Sequence, residues 1–144
     1  MALTVLRHER VLHDRDPAEI WAVVADLPRL DAWFPVHVSG AMAGEVPSVG
    51  NVVFVSHRKG ADPADGIRLR VTEWEAGTRY ACEALAVPGI VDGMFEVRVV
   101  GEAPGETRVR LGFTGDADGV IGRVAAFEIS RRMRLALRNL AADR

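Results

Sequence analysis

Residues 118–142 read Asp118-Gly119-Val120-Ile121-Gly122-Arg123-Val124-Ala125-Ala126-Phe127-Glu128-Ile129-Ser130-Arg131-Arg132-Met133-Arg134-Leu135-Ala136-Leu137-Arg138-Asn139-Leu140-Ala141-Ala142. Asp118 is placed to cap a helix running from about Gly119 to Ala142, roughly 36 Å long at 1.5 Å per residue. Ala126, Ile129, Met133, Ala136, Leu137 and Leu140 form one apolar stripe along it. The first half is apolar almost all round. Arg131, Arg132, Arg134 and Arg138 cluster in the second half, where they complement the helix dipole. A helix of this kind needs a large apolar surface to lie on.

The preceding residues supply that surface. Between Val36 and Gly115 the hydrophobic period falls to about two, predicting strands near 36–45, 50–58, 66–75, 79–87, 94–102 and 107–115. Turn chemistry separates them at Val46-Pro47-Ser48-Val49-Gly50, Ala61-Asp62-Pro63-Ala64-Asp65-Gly66, Ala76-Gly77-Thr78, Pro88-Gly89 and Ala103-Pro104-Gly105-Glu106. Such short connections make consecutive strands antiparallel neighbours. Ile67, Leu69 and Val71 oppose Arg68, Arg70 and Thr72. The same alternation puts Phe95, Val97 and Val99 against Glu96 and Arg98, and Val109, Leu111 and Phe113 against Arg108 and Arg110. One face is therefore apolar, and the other carries a ladder of solvated charge.

Before the strands, residues 4–13 read as a further strand. Asp16, Pro17 and Glu19 then give the start signals of a helix carrying Ile20, Trp21, Val23 and Val24. Pro28 breaks it, and a second short helix fits Arg29 to Phe34 before Pro35. The order is strand, two short helices, six strands and one long helix. One helix cannot fill the hollow of a curved sheet of that size. The over-apolar first half of the last helix, near Trp33 and Phe34, marks the end where a cavity is expected.

Composition bounds the rest. With 144 residues the chain is expected to form one domain over 1–144. Its one cysteine, Cys82, excludes an internal disulfide and a cysteine-built zinc site. The formal net charge of −2 removes the usual electrostatic case for a nucleic-acid partner. Seventeen of the 18 basic residues are arginine, a bias that coding composition alone produces. No apolar run is long enough for a membrane span, and the N-terminus turns polar too early for a signal peptide, so a cytoplasmic protein is expected. Glycine-rich phosphate loops, G-x-S-x-G and H-E-x-x-H are missing. Asp116-Ala117-Asp118-Gly119 fails as a calcium loop, having Val120 fifth and no acid twelfth.

The strings Asp16-Pro17-Ala18-Glu19-Ile20-Trp21 and Leu30-Asp31-Ala32-Trp33-Phe34-Pro35 resemble the opening of polyketide cyclase/dehydratase-like members of the START-like (SRPBCC) superfamily. Val49-Gly50, Val71-Thr72-Glu73-Trp74-Glu75-Ala76-Gly77-Thr78-Arg79-Tyr80, Gly105-Glu106-Thr107-Arg108 and Leu135-Ala136-Leu137-Arg138-Asn139-Leu140 extend the resemblance over essentially the whole chain. It implies an α+β helix-grip fold: a seven-stranded antiparallel sheet curved around a long C-terminal helix, with two short helices after strand 1 and a deep ligand cavity. It also implies either cofactor-independent cyclisation or dehydration of an aromatic or polyketide-like substrate, or the carrying of a lipid, quinone or other apolar ligand. In the aromatase/cyclases a fourth-strand arginine steers the polyketide. Trp74 occupies that place here, and Val55-Ser56-His57-Arg58 looks like the motif one strand early.

Candidate catalytic residues follow from strand phase and isolation. His57 shares its phase with Val53 and Val55, so it is a candidate general base or a wall histidine. Ser56 points the other way and cannot pair with it as a nucleophile. Tyr80 shares a face with Cys82 and Ala84, so its hydroxyl is a candidate donor to a ligand carbonyl or a core group. Glu128 interrupts the apolar half of the last helix, either as a cavity acid or base with a raised pKa or as a partner of Arg131 or Arg132. The pair Glu73 and Glu75 reads as solvated, and His8, His13 and His37 show no pairing in the sequence. The expected ligand-binding set is Trp33, Phe34, Val53, Val55, Leu69, Cys82, Phe95, Phe113, Ile121, Val124 and Ala125. No metal or cofactor is expected. The partner is expected to be a hydrophobic small molecule, with the chain a monomer or homodimer. The arginine-rich second half of the last helix leaves open an interaction with another protein.

Overall fold

The computed structural model describes residues 2–42, 49–60, 62 and 66–142. Strands β1 (Ala2–His13), β2 (His37–Met42), β3 (Val52–Ser56), β4 (Ile67–Glu75), β5 (Arg79–Leu85), β6 (Ile90–Ala103) and β7 (Glu106–Ala117) form one antiparallel sheet. Its order is β1-β7-β6-β5-β4-β3-β2, so six strands follow one another as a meander and β1 closes onto β7. Helix α1 (Pro17–Val24) and a 3-10 helix (Leu27–Ala32) connect β1 to β2, and α2 (Gly119–Ala142) crosses the inner face. This is the helix-grip architecture.

Alternation builds the two faces as the sequence implies. β7 buries every second residue, including Thr107, Val109, Leu111 and Phe113, and β6 does so through Phe95, Val97 and Val99. The opposite face carries the charge ladder. Arg108 bonds both Glu102 and Glu9, Arg110 bonds Glu9 at 3.1 Å, and Arg70 bonds Glu83. Arg79 reaches Glu73 at 2.8 Å, Glu75 at 3.2 Å and Glu96 at 3.1 Å. Glu73 and Glu75 thus stand outside, held by one guanidinium.

Several local details differ from the sequence reading. Asp16 has the extended backbone of an N-cap, but its side chain caps nothing; Glu19 lies 3.8 Å from Arg15 instead. The second short helix begins earlier than expected, at Leu27, and incorporates Pro28 in its first turn, where a missing N–H is harmless. β6 begins at Ile90 rather than near residue 94. Asp92-Gly93 has the look of a turn, yet it forms a bulge between Val91 and Met94, with Asp92 at φ 55°. A second bulge, between Val71 and Glu73, reverses the facing of β4, so Trp74 turns inward and pairs with Tyr80. The expected tail of β2 and most of the separators 46–50 and 61–66 lie outside the described residues.

The two halves of α2 do different work. Met133, Ala136, Leu137 and Leu140 are buried against the sheet, each large side chain worth roughly 1.5–3 kcal/mol on burial. Ala126 and Ile129, expected in the same stripe, are only half-buried. The start of α2 is clamped to the turn between β5 and β6. The Asp118 N–H donates to the Gly89 carbonyl at 2.8 Å, and a Cβ on Gly122 would sit 2.6 Å from that same oxygen. Farther along, His8 Nε2 meets Ser130 Oγ at 2.8 Å, a pairing that nothing in the sequence signals. Burial, aided by the charge of Arg134, lowers the pKa of His8.

α1 is fixed from below by aromatic packing. Tyr80 is fully buried, stacked on Trp74 at 5.4 Å and edge-on to Trp21 at 6.0 Å. Its hydroxyl donates to the Val24 carbonyl at 2.6 Å, satisfying the end of α1. Tyr80→Phe leaves that buried carbonyl without this donor, and the expected loss is about 1–3 kcal/mol of stability. Urea unfolding of the two proteins measures it; an unchanged midpoint would show the bond to be dispensable.

Candidate active site

Beneath the first half of α2 the inner face of the sheet is left partly uncovered. A well of about 80 Å³ sinks between Leu30, Phe34, Val36, Val55, Ile67, Leu69, Ala84, Val87, Phe95, Phe113 and Ile129. Each of those side chains is apolar. Phe34 lies edge-on to Phe95 at 5.5 Å and to Trp33 at 5.7 Å, which fixes the well's floor. The well shares Val36, Val55, Ile67 and Val87 with a wider vestibule of about 440 Å³. Ser56, His57, Pro88, Ile121, Val124, Ala125, Glu128 and Arg132 complete that outer space. An apolar well therefore adjoins a mouth that carries an imidazole, a carboxylate and a guanidinium.

Local structure explains how each polar group arrives there. β3 ends at Ser56, so His57 stands exposed just beyond the strand, in the phase of Val53 and Val55. Glu128 projects from α2 and bonds Arg131 at 3.0 Å, with Arg132 Nε at 3.7 Å. The Arg131 hydrogen bond holds the Glu128 carboxyl below the usual carboxylate range. Partial burial opposes this, while the charges of Arg131, Arg132 and His57 add to it. The expectation of a raised pKa is therefore corrected: the shift is downward, and Glu128 takes the other expected part, partner of Arg131 and Arg132. Arg132 also donates to the Pro35 carbonyl, tying α2 to the segment that follows the 3-10 helix.

Of the residues singled out from sequence, His57, Glu128, Phe34, Val55, Leu69, Phe95, Phe113, Ile121, Val124 and Ala125 line the well or its mouth. Four lie outside both linings. Tyr80 has given its hydroxyl to Val24, and Val53 is packed in the core. Cys82 is fully buried, and burial pushes its thiol up to about 12, which leaves it unreactive. Trp33 is 1% exposed, and its carbonyl accepts from Asn139 at 3.0 Å. Trp74 is engaged with Tyr80 and Trp21, so the fourth-strand place of the steering arginine holds an aromatic brace.

Sequence reasoning missed Leu30, Val36, Ser56, Ile67, Ala84, Val87, Pro88, Ile129 and Arg132 as lining residues; Ser56, expected to face away from His57, lines the vestibule with it at the end of β3. Ile67 and Ala84 were legible, since they share the phase of Leu69 and Cys82. Arg132 was not, because helical spacing alone does not distinguish a mouth residue from a solvated one. Among the described residues, no cluster of three His, Cys, Asp or Glu side chains stands ready to hold a metal. No helix there is long and apolar enough to cross a membrane.

Helix, sheet and cavity together define a START-like, helix-grip protein. The chain belongs to the family described as polyketide cyclase / dehydrase and lipid transport, which it matches over residues 5–143. Similar solved structures include a Thermobifida fusca protein determined by solution NMR, 20% identical, with 95% of this chain and 90% of that one aligned at a TM-score of 0.77. The Zhui aromatase/cyclase from a Streptomyces species is 16% identical, over 99% of this chain and 93% of that one, at 0.74. A truncated norcoclaurine synthase from Thalictrum flavum is 13% identical, over 98% and 92%, at 0.70. At these identities the likeness is one of fold. No curated protein matches the chain in sequence.

Proposed function

We propose that the protein binds an aromatic or polyketide-like molecule, with its apolar part in the well and its polar end at the mouth, and acts as a cofactor-independent cyclase/dehydratase. The carrying observation is the wholly apolar well opening onto His57, Glu128 and Arg132. The vestibule alone falls within the roughly 300–1,000 Å³ typical of small-molecule sites. His57 removes a proton from the carbon between two carbonyls, an imidazole being well suited to exchange protons near neutral pH. The enolate carbon attacks a further carbonyl, whose oxygen recovers the proton from the imidazolium. Loss of that hydroxyl with a neighbouring proton, as water, completes ring formation. Arg132 faces the developing negative oxygen, and the Glu128 carboxylate holds Arg132 and balances the imidazolium. Folding a flexible polyketone in the well supplies much of the rate by orientation. Tyr80, its hydroxyl engaged with Val24, takes no part in proton transfer in this scheme.

The test is turnover of a poly-β-ketone mimic, with products identified by mass spectrometry. His57→Gln is expected to keep binding and lose at least about 100-fold in rate, the usual scale of general-base catalysis. Unchanged turnover would overturn the assignment of His57. One observation favours a second reading, a carrier of lipid, quinone or another apolar ligand: among the described residues, no polar side chain lines the well to orient a reacting group. Recovery of only unaltered ligand from the wild-type protein would select it.

A further inference from the structure

We propose that the mouth-side face of α2 docks on an anionic lipid bilayer, so that the cavity opens toward the membrane surface. Val120, Ile121, Val124 and Phe127 are 58 to 67% exposed, a cluster of large apolar side chains that water does not favour. Helical spacing puts Val120, Val124 and Phe127 on one seam of α2, which continues as Arg131, Arg134 and Arg138 with Arg123 beside it. Across the mouth, exposed Arg58 and Lys59 follow His57. An apolar patch with basic residues on both sides is the pattern of a helix that lies in a bilayer interface.

The charge pattern chooses this occupant. The net charge of the chain is −2, yet none of the ion pairs between described residues involves Arg123, Arg134 or Arg138 of α2. Glu128, the carboxylate beside the patch, is held by Arg131 and Arg132; exposed Asp118 lies at the start of the helix. A second copy laid parallel would set arginine against arginine along this seam. Anionic headgroups instead accept the guanidinium groups while the acyl boundary accepts Phe127 and Val120. Ile121 and Val124 belong both to the exposed patch and to the vestibule, so the docking surface is continuous with the cavity mouth.

Flotation of the full chain with vesicles of neutral phosphatidylcholine, and of the same lipid containing about one-third phosphatidylglycerol, tests this. Binding to the anionic vesicles at least tenfold over the neutral ones, and weakened by raising salt, is the expected result. The double variant Val120→Ser/Phe127→Ser, and separately Arg123→Gln/Arg138→Gln, are expected to lose it at least tenfold. None of these four residues lines the cavity, so binding of soluble aromatic ligands stays unchanged and the docking proposal fails or stands apart from the proposed activity. Equal binding to neutral vesicles, no binding to anionic ones at low salt, or undiminished binding by both variants overturns the proposal. So does a wild-type dimer that both variants dissolve in the absence of lipid.

Discussion

Gly89→Ala is expected to lower the free energy of unfolding by roughly 2–5 kcal/mol. Two independent penalties add. Gly89 has φ 75°, in the left-handed region where a Cβ costs about 1–2 kcal/mol. That Cβ would also lie 2.5 Å from the Gly122 nitrogen, forcing α2 away from the turn at an overpacking cost of about 1–3 kcal/mol. Gly77→Ala isolates the first term, since Gly77 has φ 81° but open space where its Cβ would be. Urea unfolding of the three proteins measures both. A Gly89 variant no less stable than the Gly77 variant would show that α2 is not pinned at this turn.

Ala84→Leu is expected to abolish high-affinity ligand binding while leaving the fold intact. Ala84 sits in the wall of the well with 6% exposure, and a larger side chain there occupies the well itself. Filling a cavity costs the folded chain little, because no neighbour must move far. Affinity for any ligand that seats an apolar group in the well should fall more than tenfold, over about 1.4 kcal/mol. Ligand-induced thermal shifts of wild type and variant supply the comparison. A variant that binds as tightly as wild type would confine the ligand to the vestibule.

The fold was largely legible because two signals are physically strong. The 3.6-residue stripe of α2 and the alternation in β4, β6 and β7 follow directly from side-chain geometry. The bulges at Thr72 and Asp92-Gly93 were not legible, since each rests on pairing with a distant strand rather than on a local preference. The same limit shaped the site. Strand phase identifies the inner face, and Phe95, Val53 and Tyr80 all lie on it. It does not say which inner positions the second half of α2 covers and which the first half leaves open. Phe95 falls beside the gap, Val53 in packed core and Tyr80 beneath α1. Glu128 shows the matching limit for charge: its spacing to Arg131 and Arg132 was visible, but the direction of its pKa depended on geometry.

The junction of β1 with β7 sets a schedule for synthesis. Leu6 pairs with Phe113 and Arg10 with Val109, partners about a hundred residues apart in the chain. The meander from β2 to β7 consists of neighbours and can assemble as it emerges, whereas β1 must wait, unpaired, until β7 has been made. Pairing at such separation is slow. Until it happens, the free edge of β7 is open to strands of other molecules. Productive folding of this protein is therefore a race between its first strand and its neighbours in solution, and lower protein concentration should favour the first strand.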